Sequence, residues 1–152
     1  MHKATLLVML GIAGLACGQC TTTSTFPCVV AKARLVAQKG PIATATIFTP
    51  SRDGLFRISP YMTITTSDPT SQSYWYLAMR WTDDAGTQNA TLSSAQGNFL
   101  GPATFPFVGT FGDFVFEAKR GTPISLSLTP SPVPDNSVYS LYYVVEVLEF
   151  TP

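Results

Sequence analysis

The chain is nearly without histidine: its single one is His2, at the extreme amino terminus. Past that residue it has neither the base of a Ser-His-Asp or Cys-His nucleophilic centre nor a histidine ligand for zinc or iron. Charge is also scarce. Nine Lys and Arg balance nine Asp and Glu, 12% of the residues in all. No basic patch exists to draw nucleic acid or an anionic membrane surface. No glycine-rich segment is followed by the Lys-Ser/Thr pair and helix that a phosphate-cradling loop needs. Acid/base chemistry from paired carboxylates is unfavourable too, because Glu146 and Glu149 fall on opposite faces of an extended strand. The expectation is a protein that is not an enzyme and carries no cofactor.

Only one long apolar run is present, from Ala4 to Ala16 behind the short basic start Met1-His2-Lys3. It falls short of the roughly 20 residues that a membrane-spanning helix requires, and small residues follow it, which is the pattern of a secretory signal peptide. Two kinds of cleavage fit. Gly14-Leu15-Ala16-Cys17 resembles the lipobox of bacterial lipoproteins, which would make Cys17 an acylated first residue and anchor the protein to a membrane by lipid alone. Ordinary cleavage after Ala16 or Gly18 fits as well. Either way the protein is expected to be exported, to a cell surface, a periplasm or the medium.

There are three cysteines, Cys17, Cys20 and Cys28. Removal or acylation of the first leaves a pair in an oxidising compartment, so Cys20 and Cys28 are expected to form a disulfide. Closing a loop of about nine residues contributes about 2.6 kcal/mol in the chain-entropy account. The chain thus divides into a leader at 1–18 (ending at 16 for the lipoprotein alternative), a Thr-rich neck at 19–30 and one domain at 31–152.

What the domain has in abundance is aromatic residues at 12%, with 12 prolines and 11 glycines. Alternation of apolar and polar residues recurs along it, bounded each time by Pro, Gly or Asp turns. Strands are expected over Val29 to Gln38, Ile42 to Phe48, Gly54 to Thr66, Tyr74 to Thr82, Thr87 to Ser93, Asp113 to Lys119, Ile124 to Leu128 and Val138 to Phe150, with a ragged strand and loop between Gln96 and Gly112 and a stiff loop from Pro130 to Asn136. Within Gly54 to Thr66, Phe56, Ile58, Met62 and Ile64 face one way, and Pro60 falls among them. Proline lacks the N–H of a ladder, so Pro60 is expected to mark a bulge or an edge. Trp75, Leu77, Met79 and Trp81 alternate with Tyr74, Tyr76, Ala78 and Arg80, and bulk on both sides predicts a strand covered outside as well as inside. About eight antiparallel strands in one domain predict an all-β, two-sheet jelly-roll sandwich.

Gly54-Leu55-Phe56-Arg57-Ile58-Ser59, Trp81-Thr82-Asp83, Phe116 to Ile124 and the closing strand Tyr139 to Leu148 carry a resemblance. They look like exported or phage-associated bacterial β-domains that are similar to the C1q and tumour-necrosis-factor jelly rolls, over roughly Ala43 to Phe150. The resemblance implies a jelly roll that assembles, often as a trimer, around aromatic residues of one sheet and serves in binding or structure. Pro60 stands where that pattern expects an aliphatic residue.

Tyr61, Tyr74, Tyr76 and Tyr142 all fall on outward positions and make the best binding candidates, since aromatics with polar tips suit interfaces and stack on sugars. Two partners follow from them, further copies of the chain or a glycan or surface protein. Asp83 and Asp84 share a hairpin turn where a calcium ion could sit, but no spaced acidic loop supplies the remaining oxygens, so turn chemistry is the simpler reading and no metal is expected. Asn89-Ala90-Thr91 matches a glycosylation sequon and is read as polar strand.

Overall fold

The computed structural model describes residues 15–16, 20–21, 24–70, 74–93, 107–131 and 135–151. Most of the leader, Cys17, part of the Thr-rich neck, residues 94–106 and the prolines at 132 and 134 lie outside the described residues.

Ten strands appear among the described residues: β1 (Leu15–Ala16), β2 (Cys28–Lys39), β3 (Ile42–Phe48), β4 (Gly54–Thr66), β5 (Tyr74–Asp83), β6 (Gly86–Ser93), β7 (Phe107–Thr110), β8 (Phe114–Ala118), β9 (Ile124–Ser131) and β10 (Val138–Phe150). A front sheet runs β1-β2-β10-β4, with β7 and β8 both on the far side of β4, and a back sheet runs β3-β9-β5-β6. Every pairing is antiparallel. With β7 and β8 taken as one interrupted strand and β1 set aside, the front order is first, eighth, third, sixth and the back order second, seventh, fourth, fifth. That is the strand order of a jelly roll, so the topology itself establishes the fold class expected from the alternation.

The inward sets interlock as their spacing demands. Phe56, Ile58 and Met62 of β4 and Tyr139, Leu141, Tyr143, Val145 and Val147 of β10 meet Trp75, Leu77, Met79 and Trp81 of β5 and Ile124, Leu126 and Leu128 of β9, all buried. Each such side chain contributes about 1.5–3 kcal/mol by leaving water. Gly54 is fixed by this packing. A Cβ there would meet the backbone oxygen of Glu149 at 2.6 Å, so only glycine lets β4 lie this close to the end of β10.

Pro60 is neither in an edge strand nor at a bulge of its own. β4 is central, and Pro60 pairs with Tyr143 in an unbroken stretch of the β10 ladder. On its other side β4 pairs over Gly54–Ile58 and Tyr61–Ile64, skipping Ser59 and Pro60 where the neighbour is interrupted between β7 and β8. The irregularity belongs to the neighbouring strand, which leaves Pro60 without a ladder partner on that side. Pro130 follows the same logic. The expected loop starts later than its sequence suggests, because β9 continues through Pro130 opposite Trp75, beyond the point at Leu128 where β3 stops pairing.

β2 begins at Cys28, inside the segment read as a neck, and Val30 and Ala31 are already buried. Cys20 and Cys28 are joined by a disulfide with Cα atoms 6.1 Å apart, and Phe26 packs edge-on against Phe150 at 5.6 Å. These contacts hold the neck residues to the sandwich.

Candidate functional site

With the interior shared by both sheets, the outward faces carry what is left. On the front sheet the ladders set Arg34, Tyr142 and Tyr61 side by side across β2, β10 and β4. The two tyrosine rings stack at 4.6 Å with 8° between their planes, and the Arg34 guanidinium lies over the Tyr142 ring, 5.4 Å from its centroid. A shallow groove of about 350 Å³ opens beside this row, bordered by Lys32, Arg34, Ser59, Tyr61, Tyr142 and Val144. One step along, Glu146 pairs with Arg57, and both the Nε and Nη2 of Arg57 donate to its Oε2, at 2.9 and 2.6 Å. That hydrogen bond first, then the charges of Glu146 and Asp113, raise the Arg57 pKa. Val115, on β8 opposite Arg57, is 49% exposed.

The back sheet presents different chemistry. Outward from β5 stand Tyr74, Tyr76, Ala78 and Arg80, flanked by Ser125, Ser127 and Thr129 of β9 and by Thr87, Asn89 and Thr91 of β6. Tyr74 and Tyr76 are 42% and 36% exposed, so within one chain the strand expected to be covered on both sides is open on its outer side.

The four tyrosines therefore do not form one face. β4 and β5 are consecutive in sequence but lie in opposite sheets, which places Tyr61 and Tyr142 on the front and Tyr74 and Tyr76 on the back. Tyr142 is also half-buried, with both ring faces occupied by Tyr61 and Arg34. The sugar stacking considered for the whole set needs a free ring face, which this residue does not offer.

Asp83 and Asp84 are engaged in the turn and beside it. Asp83 Oδ1 accepts from the Ala85 N–H at 2.8 Å and from Gln88 Nε2 at 3.0 Å, while Asp84 pairs with Lys119. Lys119 also reaches Asp53 at 3.2 Å, and the Arg120 N–H donates to the other Asp53 oxygen at 2.7 Å. That backbone donor and then Lys119 lower the Asp53 pKa. Among the described residues no three His, Cys, Asp or Glu side chains gather as a metal site.

At the opposite end of the sandwich lies a knot that the sequence reading did not single out. The buried Asp68 takes Thr70 Oγ1 at 2.7 Å and the Thr70 N–H at 2.8 Å on one oxygen, and the Asn136 N–H and Nδ2 on the other. Its own N–H donates to Ser137 Oγ at 2.9 Å. The Thr70 hydroxyl first, then the backbone donors, hold its carboxyl down at about 2. The Asx-type spacing of Ser67-Asp68-Pro69-Thr70 was the available signal for its local half. Lys32 and Arg34 likewise read as an ordinary wet face, since only the register with Tyr142 brings them to the groove.

No family model and no curated protein matches the chain. Among solved structures it is similar to the Eiger TNF of S. frugiperda, with a TM-score of 0.45 and 9% identity over 80% of this chain and 94% of that one.

Proposed function

We propose that this protein is an exported, non-enzymatic module that associates with copies of itself, as a trimer, through the outer face of its front sheet and serves as a structural or adhesive component of a surface. The observation that carries this reading is the front face itself. Tyr61, 42% exposed, and Val115, 49% exposed, flank the Arg57–Glu146 pair, whose charges are already matched within the chain, leaving exposed apolar groups at the middle of the face. Such a core with few unpaired charges is what a specific protein interface requires. Export rests on the leader pattern of the first residues. The lack of catalysis rests on a chain whose one histidine is His2. Three copies rest on the resemblance of the Gly54 and Tyr139 strands to C1q and tumour-necrosis-factor jelly rolls.

Size-exclusion chromatography with light scattering tests it directly. A trimer mass that falls to the monomer in Val115→Asp is expected, and a wild-type monomer at high protein concentration overturns the reading.

A second reading, glycan binding, is favoured by one feature of the back sheet. Tyr74 and Tyr76 project from the same side of β5 among the hydroxyls of Ser127, Thr129 and Thr91. Binding on a glycan array that disappears in Tyr76→Ser supports it, and an array with no signal removes it.

A further inference from the structure

The front face is electrically lopsided. Lys32 and Arg34 project from β2 at one side, and neither has a carboxylate within 4 Å among the described residues. At the other side Glu117 projects from β8, and Asp113 sits in the interruption between β7 and β8, close enough to act on Arg57. Neither of these carboxylates has a cation within 4 Å among the described residues. Three strand spacings, about 14 Å, separate β2, bordered only by the two residues of β1, from β8. Between them lie Tyr142, Tyr61 and the closed Arg57–Glu146 pair.

From this juxtaposition we infer that the occupant of the front face is a second copy of the chain, docked so that the Lys32/Arg34 edge of one copy meets the Asp113/Glu117 edge of the next. The inference rests on the self-association reading and specifies its contact. A small ligand of one charge would satisfy only one edge, and the groove touches only the cationic one. Each copy offers one edge of each sign, so the match repeats at every contact and disfavours docking of like edges. The Arg34 guanidinium lies over the Tyr142 ring, and its planar fork of donors suits a carboxylate brought by a neighbouring copy.

Charge reversal tests the contact. Lys32→Glu with Arg34→Glu, and separately Asp113→Lys with Glu117→Lys, should each weaken association by on the order of a hundredfold, since like charges then face each other. All four changes in one chain restore complementarity with inverted polarity. That variant should assemble like the wild type in sedimentation velocity and should not co-assemble with it. Far-ultraviolet circular dichroism and the thermal midpoint check that each variant is folded, as substitutions at exposed strand positions allow. If both double variants assemble as the wild type does, or if the fourfold variant is folded but stays monomeric, the edge pairing is wrong while self-association stands. A wild-type chain that is monomeric throughout removes both.

Discussion

The two outer faces of this sandwich are built on one interior and share almost nothing else. β10 and β9 alternate equally well, yet the outward set of β10 is Tyr142, Val144, Glu146 and Leu148, whereas that of β9 is Ser125, Ser127 and Thr129. Folding asks only that an outward residue suit a pleated, half-wet surface, and Ser and Thr already meet that demand. Stacked tyrosines, bare valines and edge charges on the front sheet exceed it. The fold of one chain does not require that excess, and β9 shows how little an outward strand face needs.

The most damaging change strikes both faces at once. Trp75 is buried between the sheets with its ring 4.7 Å from that of Tyr139. Trp75→Ala should cost about 3–5 kcal/mol, read as a lowered urea midpoint, with assembly and any glycan binding lost together. Such a result says nothing about either face, which is why surface changes must follow. Tyr142→Ala removes a stacked pair and should cost the monomer about 0.5–1.5 kcal/mol, while shifting the mass in light scattering from trimer to monomer. Tyr76→Ser on the back sheet should leave that mass unchanged. Equal effects of the two substitutions on assembly would erase the distinction between the faces.

How much of that distinction could be read in advance depends on the range of the pattern. Period-two alternation is local, so the inward residues of β4, β5 and β10, and hence the sandwich, were legible from neighbours in the chain. Which outward residues share a face is not local. Tyr61 and Tyr74 look alike in sequence and end on opposite sides of the molecule because the chain changes sheets between β4 and β5. The expectation for Pro60 fails for a related reason. Its tolerance depends on the break between β7 and β8, far away in sequence. The Arg34, Tyr142 and Tyr61 row needs the register of two ladders, and Asp68 needs Asn136 and Ser137 from the far end of the chain.

Acid should separate the sheets by a smaller margin. The knot around Asp68 ties the end of β4 to the start of β10, both strands of the front sheet. Its carboxyl is lowered from 3.8 to about 2 in the folded chain. The unfolded chain therefore takes up the proton first as pH falls. The stabilisation is complete above about pH 4 and drains away as pH drops toward 2. Hydrogen exchange between pH 4 and 2 should show amides near Thr66 and Val138 losing protection before those of β9. Asp68→Asn should be less stable at neutral pH, since its amide presents a donor to the Asn136 N–H, and its acid slope should be flatter. Simultaneous loss of protection in both sheets would mean that the knot does not hold the front sheet separately.

The mildest change concerns the cationic edge. Opposite Ser140 the register of β2 slips between Leu35 and Gln38, and within that bulge Ala37 adopts a φ of 52°, the one left-handed non-glycine residue among those described. For a residue with a Cβ this conformation costs about 1–2 kcal/mol. Glycine removes the cost but returns about 0.4–1 kcal/mol through its freer unfolded chain. Ala37→Gly should therefore stabilise the protein by roughly 0.5–1 kcal/mol, a rise of a few degrees in thermal midpoint. The bulge sets how β2 twists beyond Arg34, leaving Val36 53% exposed at the edge. A gain in stability with unchanged association would show that the bulge is tolerated for folding reasons alone. A gain accompanied by weaker association would tie the strained alanine to the presentation of the front edge.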